Sequence, residues 1–291
     1  MEPKAHLRQP EPPLTCRGFL ENAIVPAPLI INSEDTLVFV GTLLSAKDAT
    51  CAVIRSKEKD TYESIYGYQM VTLLLESKPE NLFNQLYTPA SKSVGAVPPS
   101  PLPTVHLDDE FTKALNLMVE NRFGDALVLD DNGEPSGLLS LGNIVAFFAG
   151  RTDSIGMSLK EVSSKLKLID GSKSVIEVFR FMMTNRMRRA VLKRGGGFYC
   201  CTEREIMRGI FSFKGLNLIR DNPDEILGMP LERLVSPFLN HIPSLSGSLD
   251  VAEGWVQASW NTNCTLIVDE KHIATPWDLV IKPHLSGKLP L

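Results

Sequence analysis

The sequence is poor in cysteine and aromatic residues, and it contains no long apolar run. Among its 291 residues are five cysteines, an odd number without a C-x-x-C pair. This pattern fits a reducing compartment better than a disulfide framework. No stretch approaches the roughly 20 apolar residues of a membrane helix, and the proline-rich start of the chain lacks the apolar segment of a secretory signal. These absences predict a cytoplasmic protein that does not enter a membrane.

The charge and the titratable residues exclude further classes. The net charge of −4 gives no general attraction to nucleic acid or to an anionic membrane surface. The five histidines are scattered without the spacing of metal ligands, and no nucleophile–base group is apparent. We therefore expect no enzyme activity, no catalytic residue, no metal site and no required cofactor.

What the sequence does contain is a short apolar strand that ends at a small polar residue and turns directly into a helix. In its clearest copy, Thr275 would cap the helix, Pro276 would occupy its first position, and Asp278 would lie near the positive end of the helix dipole. A motif that returns at nearly regular spacing indicates an internal repeat. The four copies lie at residues 66–73, 137–144, 199–206 and 272–280.

Each copy closes a unit of strand, helix, strand, turn, strand and helix. Such a unit, about fifty to sixty residues long, is in the range of known structural repeats. It is too small to bury its sheet face well by itself, so the units should pair. The predicted boundaries are a flexible N-terminal segment at residues 1–28, repeats at 29–78, 103–150, 160–212 and 236–285, and linkers at 79–102 and 213–235.

This organisation resembles the CBS-domain superfamily, named for cystathionine β-synthase, with four copies as in the γ-subunit of AMP-activated protein kinase. The resemblance covers roughly residues 29–285 and rests on the repeat and its closing motif. It implies an α/β (α+β) fold in which consecutive repeats pair into Bateman modules, residues 29–149 and 160–285. The two modules would form a disc-like body.

The resemblance also implies a function. Members of the family bind AMP, ADP, ATP or S-adenosylmethionine between paired repeats and regulate a partner, so we expect a non-enzymatic energy sensor. The partner would be a kinase-like or other protein, or a second copy of the chain. In the family the closing Thr/Ser approaches phosphate, the carboxylate holds the ribose diol, and the first strand contacts the base.

Carried over onto this sequence, these roles give a set of candidate nucleotide-binding residues. The closing-motif pairs are Ser140 and Asn143, Thr202 and Glu205, and Thr275 and Asp278; the phosphate contacts are Arg188 and Arg189; the base contacts are Thr104, Leu168 and Ile242. In repeat 1, Gln69 and Thr72 depart from the motif. The tighter site is therefore expected between repeats 3 and 4.

Other interpretations remain open at this point. A single Thr-x-x-Asp is also an ordinary capping box, and a run of arginines is also typical of a solvated face. The chain is alternatively a nucleic-acid-binding CBS protein or a scaffold with degenerate ligand sites. The net charge and the lack of a helix-turn-helix or zinc module weigh against nucleic acid. Failure to bind any nucleotide would indicate the scaffold.

Overall fold

The computed structural model describes residues 13–55, 61–91, 102–185 and 187–291. Four repeats of one topology occupy most of this length, at residues 30–76, 104–148, 168–210 and 244–285. In each, the first strand runs parallel to the second, and the third is antiparallel to the second. A helix crosses between the first two strands, and another follows the third. The predicted α/β fold of four repeats is confirmed.

The elements of each repeat follow from its alternating apolar strands and amphipathic helices. Repeat 1 comprises β1 (Ile30–Ile31), α2 (Leu37–Lys47), β2 (Cys51–Arg55), β3 (Tyr62–Tyr66) and α3 (Gly67–Glu76), and repeat 2 comprises β4 (Thr104–His106), α5 (Phe111–Asn121), β5 (Asp125–Leu129), β6 (Pro135–Ser140) and α6 (Leu141–Phe148). Repeat 3 comprises β8 (Leu168–Ile169), α8 (Val175–Thr184), β9 (Arg189–Arg194), β10 (Gly197–Thr202) and α9 (Glu203–Ile210), and repeat 4 comprises β12 (Ser244–Leu245), α13 (Val251–Ser259), β13 (Leu266–Val268), β14 (His272–Ala274) and α14 (Pro276–Leu285).

The remaining elements lie between the repeats. They are α1 (Cys16–Asn22), α4 (Pro79–Gln85), α7 (Leu159–Val162), β7 (Ser164–Lys165), α10 (Phe213–Asp221), α11 (Pro223–Gly228), α12 (Leu231–Val235), a 3-10 turn at Ser236–Phe238 and β11 (Asn240–Ile242). None of the helices in the described ranges combines the length and apolar character needed to cross a membrane.

Consecutive repeats pair through their sheets. In module 1, Cys51 and Val53 of repeat 1 share a buried cluster with Leu127 of repeat 2. In module 2, Val191 of repeat 3 shares a second cluster with Ile267 of repeat 4. These side chains are at most 1% exposed, so the paired faces exclude water. The pairing is that of two Bateman modules.

The two modules meet through their helices. Repeats 1 and 3 contribute to one large core, where the Phe211 ring fills the space in which a Cβ on Gly41 would lie. Repeats 2 and 4 contribute to another, where the rings of Phe148 and Trp255 are 5.3 Å apart. The Trp255 indole also donates to the Leu279 carbonyl at 2.7 Å, which satisfies its only polar group. Each repeat therefore contacts two others.

Module 2 exchanges edge strands between its repeats. β11, which precedes repeat 4, pairs antiparallel with β10 of repeat 3, and β7, which precedes repeat 3, pairs antiparallel with β14 of repeat 4. Ile242 consequently belongs to the sheet of repeat 3, and the first strand of repeat 4 is Ser244–Leu245. This corrects the expectation that Ile242 lies in the first strand of repeat 4.

Short helices ahead of the repeats also cross over. α1 contacts α5 of repeat 2, α7 contacts α13 and α14 of repeat 4, and α12 contacts α8 of repeat 3. In each case the cap residues of the two helices form an isolated β-bridge, and the pairs are Thr15 with Glu110, Ser158 with Asp250, and Pro230 with Ser174. The 213–235 linker is therefore helical and packed.

The N-terminal segment differs from its expectation as well. Residues 1–28 were expected to be flexible, and residues 1–12 lie outside the described part of the chain. The remainder forms α1, in which Cys16 and Phe19 are fully buried. The Phe19 ring stacks on Phe111 with centroids 4.6 Å apart and approaches Phe147 at the same distance. Aromatic packing against repeat 2 fixes this segment despite its prolines.

Candidate functional site

The closing motif of repeat 4 forms the helix cap that its sequence predicts. Thr275 is the N-cap of α14, and its hydroxyl accepts the Asp278 amide at 3.4 Å. In return, Asp278 Oδ2 accepts the Thr275 amide at 2.9 Å and the Thr275 hydroxyl at 2.7 Å. This reciprocal capping box satisfies the backbone donors at the helix start.

The second oxygen of Asp278 is used by two other groups. Lys282 Nζ lies 2.7 Å from Oδ1, one turn further along α14. The Ser164 hydroxyl of β7 donates to the same oxygen at 3.4 Å, so the exchanged strand lies against the motif. The carboxylate is 5% exposed as a residue and accepts from four donors, which matches its acceptor capacity. The two hydroxyls of a ribose diol can therefore both donate to this carboxylate only if two of these donors leave.

The closing motifs of repeats 2 and 3 are also caps. Glu205 Oε2 accepts the Thr202 amide at 2.7 Å and the Thr202 hydroxyl at 2.6 Å, and Glu205 is 1% exposed. The Ser140 hydroxyl accepts the Asn143 amide at 3.2 Å. Asn143 Nδ2 donates in turn to the Ile24 carbonyl at 3.3 Å. The segment after α1 thus lies beside the motif of repeat 2, as Ser164 lies beside that of repeat 4.

Repeat 1 keeps half of this cap, in a register three residues earlier than the sequence suggests. Its helix α3 begins at Gly67, so Tyr66 occupies the N-cap position and Gln69 takes the place of the carboxylate. Gln69 Oε1 accepts the Tyr66 amide at 2.8 Å. Thr72 lies inside the helix and donates to the Tyr68 carbonyl. The alignment of Gln69 and Thr72 with the motif was therefore wrong.

Two arginines of repeat 3 reach one loop of repeat 4, residues 262–265. Arg189 donates to the Asn263 carbonyl at 3.2 Å and to the Thr265 hydroxyl. Arg204, in the first turn of α9, donates to the Thr262 carbonyl at 2.8 Å and to Asn263 Oδ1. Asn263 is 4% exposed, and its Nδ2 has no partner in the described residues. The loop thus brings cationic and neutral donors together.

The described side chains around the 262–265 loop carry more positive than negative charge. Arg204 and Arg208 share one carboxylate, that of Asp48 at the end of α2, at 3.6 Å and 3.1 Å. Arg189 is half-buried, and the described part of the chain places no carboxylate within ion-pair distance of it. Its guanidinium is held only by neutral oxygens, which leaves its charge available to an anion.

Arg188 has a different environment. Its guanidinium pairs with Glu203 at 2.7 Å, and Glu203 is 4% exposed. It also lies over the rings of Tyr66 and Tyr68 of repeat 1, 5.1 Å and 5.0 Å from the centroids. Its charge is therefore already matched by a carboxylate and two aromatic faces. The contact joins module 2 to module 1, although the Arg188 side chain is still 41% exposed.

A buried carboxyl of repeat 2 lies at the same junction. Asp125 begins β5 and is 5% exposed. Burial raises the pKa of its carboxyl to about 6, against the opposing influence of Arg188. Burial also raises the pKa of the Tyr66 hydroxyl. Repeats 1, 2 and 3 thus meet around the Arg188 guanidinium, the carboxyls of Asp125 and Glu203, and the Tyr66 hydroxyl.

The three predicted base contacts do not occupy equivalent places. Ile242 is 1% exposed inside the module 2 cluster, and the Thr104 hydroxyl donates to the Leu102 carbonyl at 2.9 Å. Leu168 is 49% exposed and lines a cavity of about 270 Å³ with Leu192, Tyr199 and other residues. That cavity lies at the opposite end of β9 from Arg189. The structure does not bring these three residues together.

Several residues at these sites were not identified from the sequence. Lys282 follows Asp278 by four positions on one helix, a spacing that already predicts contact. Ser164, Arg204 and Asn263 carry no local signal, because only the strand exchange and the repeat pairing place them near the motifs. No group of three or more His, Cys, Asp or Glu side chains in the described ranges could hold a metal ion.

Comparison with known proteins identifies the fold. Residues 94–150 match the CBS domain model, so this segment is a CBS domain. A protein of Methanocaldococcus jannaschii, proposed as an archaeal homologue of the γ-subunit of AMP-activated protein kinase, has a solved structure that is similar with a TM-score of 0.73 at 13% identity, covering 89% of this chain and 97% of that one. An uncharacterised protein of Pyrococcus horikoshii gives 0.51 at 15% identity, with 90% and 98% covered. Among curated proteins none matches significantly.

Because the sequence identities are low, these similarities show a shared fold and nothing beyond it. The chain therefore contains a CBS domain at residues 94–150, and its fold is that of four such repeats paired in two modules. A CBS-domain protein of Pyrobaculum aerophilum, solved in complex with AMP, is similar over 45% of this chain and 89% of its own, with a TM-score of 0.35 at 18% identity.

Proposed function

We propose that this chain is a regulatory protein that binds an adenine nucleotide in module 2 and catalyses no reaction itself. The observation that carries the proposal is Arg189, a half-buried cation that crosses from repeat 3 to repeat 4 without a carboxylate partner in the described residues. A phosphate beside it would replace neutral acceptors by a charged one, and charge-assisted bonds are roughly twice as strong as neutral ones. The planar guanidinium also suits phosphate geometry.

The surroundings of Arg189 support the same ligand class. Arg204 reaches the same loop and carries a second positive charge, shared with Asp48. The unpartnered Nδ2 of Asn263 offers a further donor. A phosphate held there would contact both repeats of the module. The ribose and the base are then expected at the closing motif, where Thr275 and Asp278 lie against Ser164 of the exchanged strand.

The adenine base and the regulatory role come from the resemblance to the CBS family. A ligand that contacts two repeats stabilises one arrangement of them over others. A partner that recognises this arrangement would respond to the ligand concentration, which is the sense in which we propose energy sensing in the cytoplasm. The partner is a kinase-like or other protein, or a second copy of this chain.

Calorimetric titration of the whole protein with AMP, ADP, ATP and S-adenosylmethionine tests the proposal. We expect at least one ligand to bind, and Arg189→Ala to weaken its affinity about tenfold or more, because about 1.4 kcal/mol is one decade. Arg180→Ala is the matched control, since Arg180 is exposed on α8. Equal losses in the two variants would show that Arg189 has no specific role.

A scaffold with closed sites is the second candidate, and the four donors on Asp278 favour it. It predicts no binding of any of the four ligands, even at millimolar concentration. The titration above therefore separates the two functions. Measured binding to one ligand with a dependence on Arg189 excludes the scaffold.

A further inference from the structure

Lys282 ties the closing motif of repeat 4 to the segment ahead of repeat 3. This lead segment, residues 158–165, comprises α7 and β7. Lys282 Nζ pairs with Asp278 Oδ1 at 2.7 Å and donates to the Val162 carbonyl at the end of α7. Ser164 of the lead segment donates to the same carboxylate oxygen. One lysine therefore joins α14, Asp278 and the lead segment.

The two partners of this ion pair differ in their access to water. The Asp278 side chain is 7% exposed, whereas that of Lys282 is 35% exposed. A buried carboxylate without a donor is costly. A lysine can extend its ammonium into water while its methylenes stay on the protein surface. Lys282 is thus the partner that can leave, provided that other donors reach Asp278 Oδ1.

A vicinal diol supplies such donors. The two hydroxyls of a ribose can replace Lys282 Nζ and the Ser164 hydroxyl at the carboxylate without leaving an acceptor unsatisfied. A deoxyribose, which has lost one hydroxyl, can replace only one of them. The occupancy of Asp278 by Lys282 therefore sets both the affinity for the ligand and its discrimination between these two sugars.

We infer that Lys282 gates the ribose position of repeat 4 by competing with the ligand for Asp278. Binding then releases the lead segment from α14, and this segment follows directly on the connection between the two modules. The inference rests on the proposed nucleotide function and adds a regulatory step to it. Nucleotide binding at repeat 4 would thus change the position of residues 158–165 and, through them, the junction of modules 1 and 2.

The experiment uses Lys282→Met, which keeps the methylene stem and removes the charge. Lys288→Met is the matched control, because Lys288 also donates to a backbone carbonyl near this segment, that of Gly156, without contacting Asp278. Each full-length variant is titrated with ATP and with 2′-deoxy-ATP. We expect Lys282→Met to bind ATP roughly threefold to tenfold more tightly than wild type, with a smaller gain for 2′-deoxy-ATP, since a partly exposed ion pair is worth about 1 kcal/mol. Lys288→Met should match wild type.

Hydrogen–deuterium exchange supplies a second measurement. The amides of Ser163 and Leu166 are bonded to Leu159 and Lys271 in the free protein. Saturating ATP should accelerate their exchange in wild type if the lead segment is released. Protection of this segment by ATP would overturn the inference.

The outcomes separate the inference from the function on which it rests. If wild type binds ATP and Lys282→Met binds it equally or more weakly, Lys282 is not a competitor and only the inference fails. If neither protein binds any adenine ligand, the proposed function fails with it. Should Lys282→Met not fold, Ser164→Ala removes the second donor and must shift ATP affinity in the same direction.

Discussion

Gln69 Oε1 accepts the Tyr66 amide at 2.8 Å, the same bond that Asp278 makes with the Thr275 amide at 2.9 Å. Repeat 1 therefore keeps one of the two bonds of the closing motif, with an uncharged residue in the carboxylate position. The bond lies in a dry environment, since Gln69 is 3% exposed and Tyr66 is 1% exposed. It caps α3 without the charge that a ribose-binding carboxylate would supply.

Gln69→Ala should destabilise the protein by about 1–2 kcal/mol, because the buried Tyr66 amide loses its acceptor. Thr72→Val is the informative comparison. Its hydroxyl only returns to the Tyr68 carbonyl within the helix, so the change should cost less than about 0.5 kcal/mol. Urea unfolding of both variants measures the difference. A larger loss in Thr72→Val than in Gln69→Ala would contradict the register seen here.

Asp278→Ala should lower the free energy of unfolding by more than the loss of an exposed helix cap does. A surface cap contributes about 0.3–1 kcal/mol through the helix dipole, but Asp278 is buried, and its removal strips acceptors from Thr275, Ser164 and Lys282. We expect a loss of about 2–3 kcal/mol by thermal or urea unfolding. Asp278→Asn should be milder, since its amide oxygen still accepts. Unchanged adenine-nucleotide affinity in Asp278→Ala would restrict this residue to capping.

Asp125 predicts a pH dependence of stability. Burial raises the pKa of its carboxyl from 3.8 to about 6, so the folded state binds this proton more tightly than the unfolded chain does. The stabilisation is complete below the pKa that the Asp125 carboxyl has in the unfolded chain. It is lost as the pH rises through the pKa of the same carboxyl in the folded protein. The pKa difference corresponds to at most about 3 kcal/mol.

Asp125→Asn removes this titration and keeps the size of the side chain. Unfolding free energies of wild type and variant, measured between pH 4 and pH 7.5, should diverge in favour of the variant up to the folded pKa of about 6 and run parallel well above it. Only the difference between the two curves is informative, because other carboxyls titrate in both proteins. Parallel curves across that range would rule out an elevated pKa for Asp125.

Arg188 should stabilise the contact between the modules. Arg188→Met leaves the buried Glu203 carboxylate without its cation and removes the charge over Tyr66 and Tyr68, so we expect a loss of about 1–3 kcal/mol. The double variant Arg188→Met/Glu203→Gln should recover part of that loss, since no unpaired charge remains. A double-mutant cycle from urea unfolding measures the coupling. Additive effects would show that the pair is not coupled.

The sequence predicted those features that depend on local periodicity. The four repeats, their pairing and the N-cap positions of Ser140, Thr202 and Thr275 are confirmed, because capping and strand–helix alternation are short-range patterns. The register of repeat 1 was missed because an aromatic residue, Tyr66, replaces the expected Ser or Thr. The position of Asp278 relative to Ser164 was not predictable, since these residues are brought together only by the strand exchange.

The tertiary packing of the segments between the repeats was not predicted, for a related reason. Phe19 and Leu231 are buried against repeats that are not the next in sequence. Proline-rich composition predicted a flexible lead-in, but a few well-placed apolar residues outweigh it when a partner surface already exists. Tertiary packing, and not local propensity, decides the structure of such segments.

The exchange of β7 and β11 has a consequence for the order in which this chain folds as it is synthesised. β10 leaves the ribosome well before Asn240–Ile242, the strand that covers its edge. Until then repeat 3 presents a row of unpaired backbone donors and acceptors, the feature that allows strands of separate chains to associate. β7 waits longer still, because all of repeat 3 and most of repeat 4 are translated before its partner β14. Module 2 therefore completes the sheet of repeat 3 only after β11 and that of repeat 4 only after β14, and this half of the described chain is where nascent chains would most depend on chaperones.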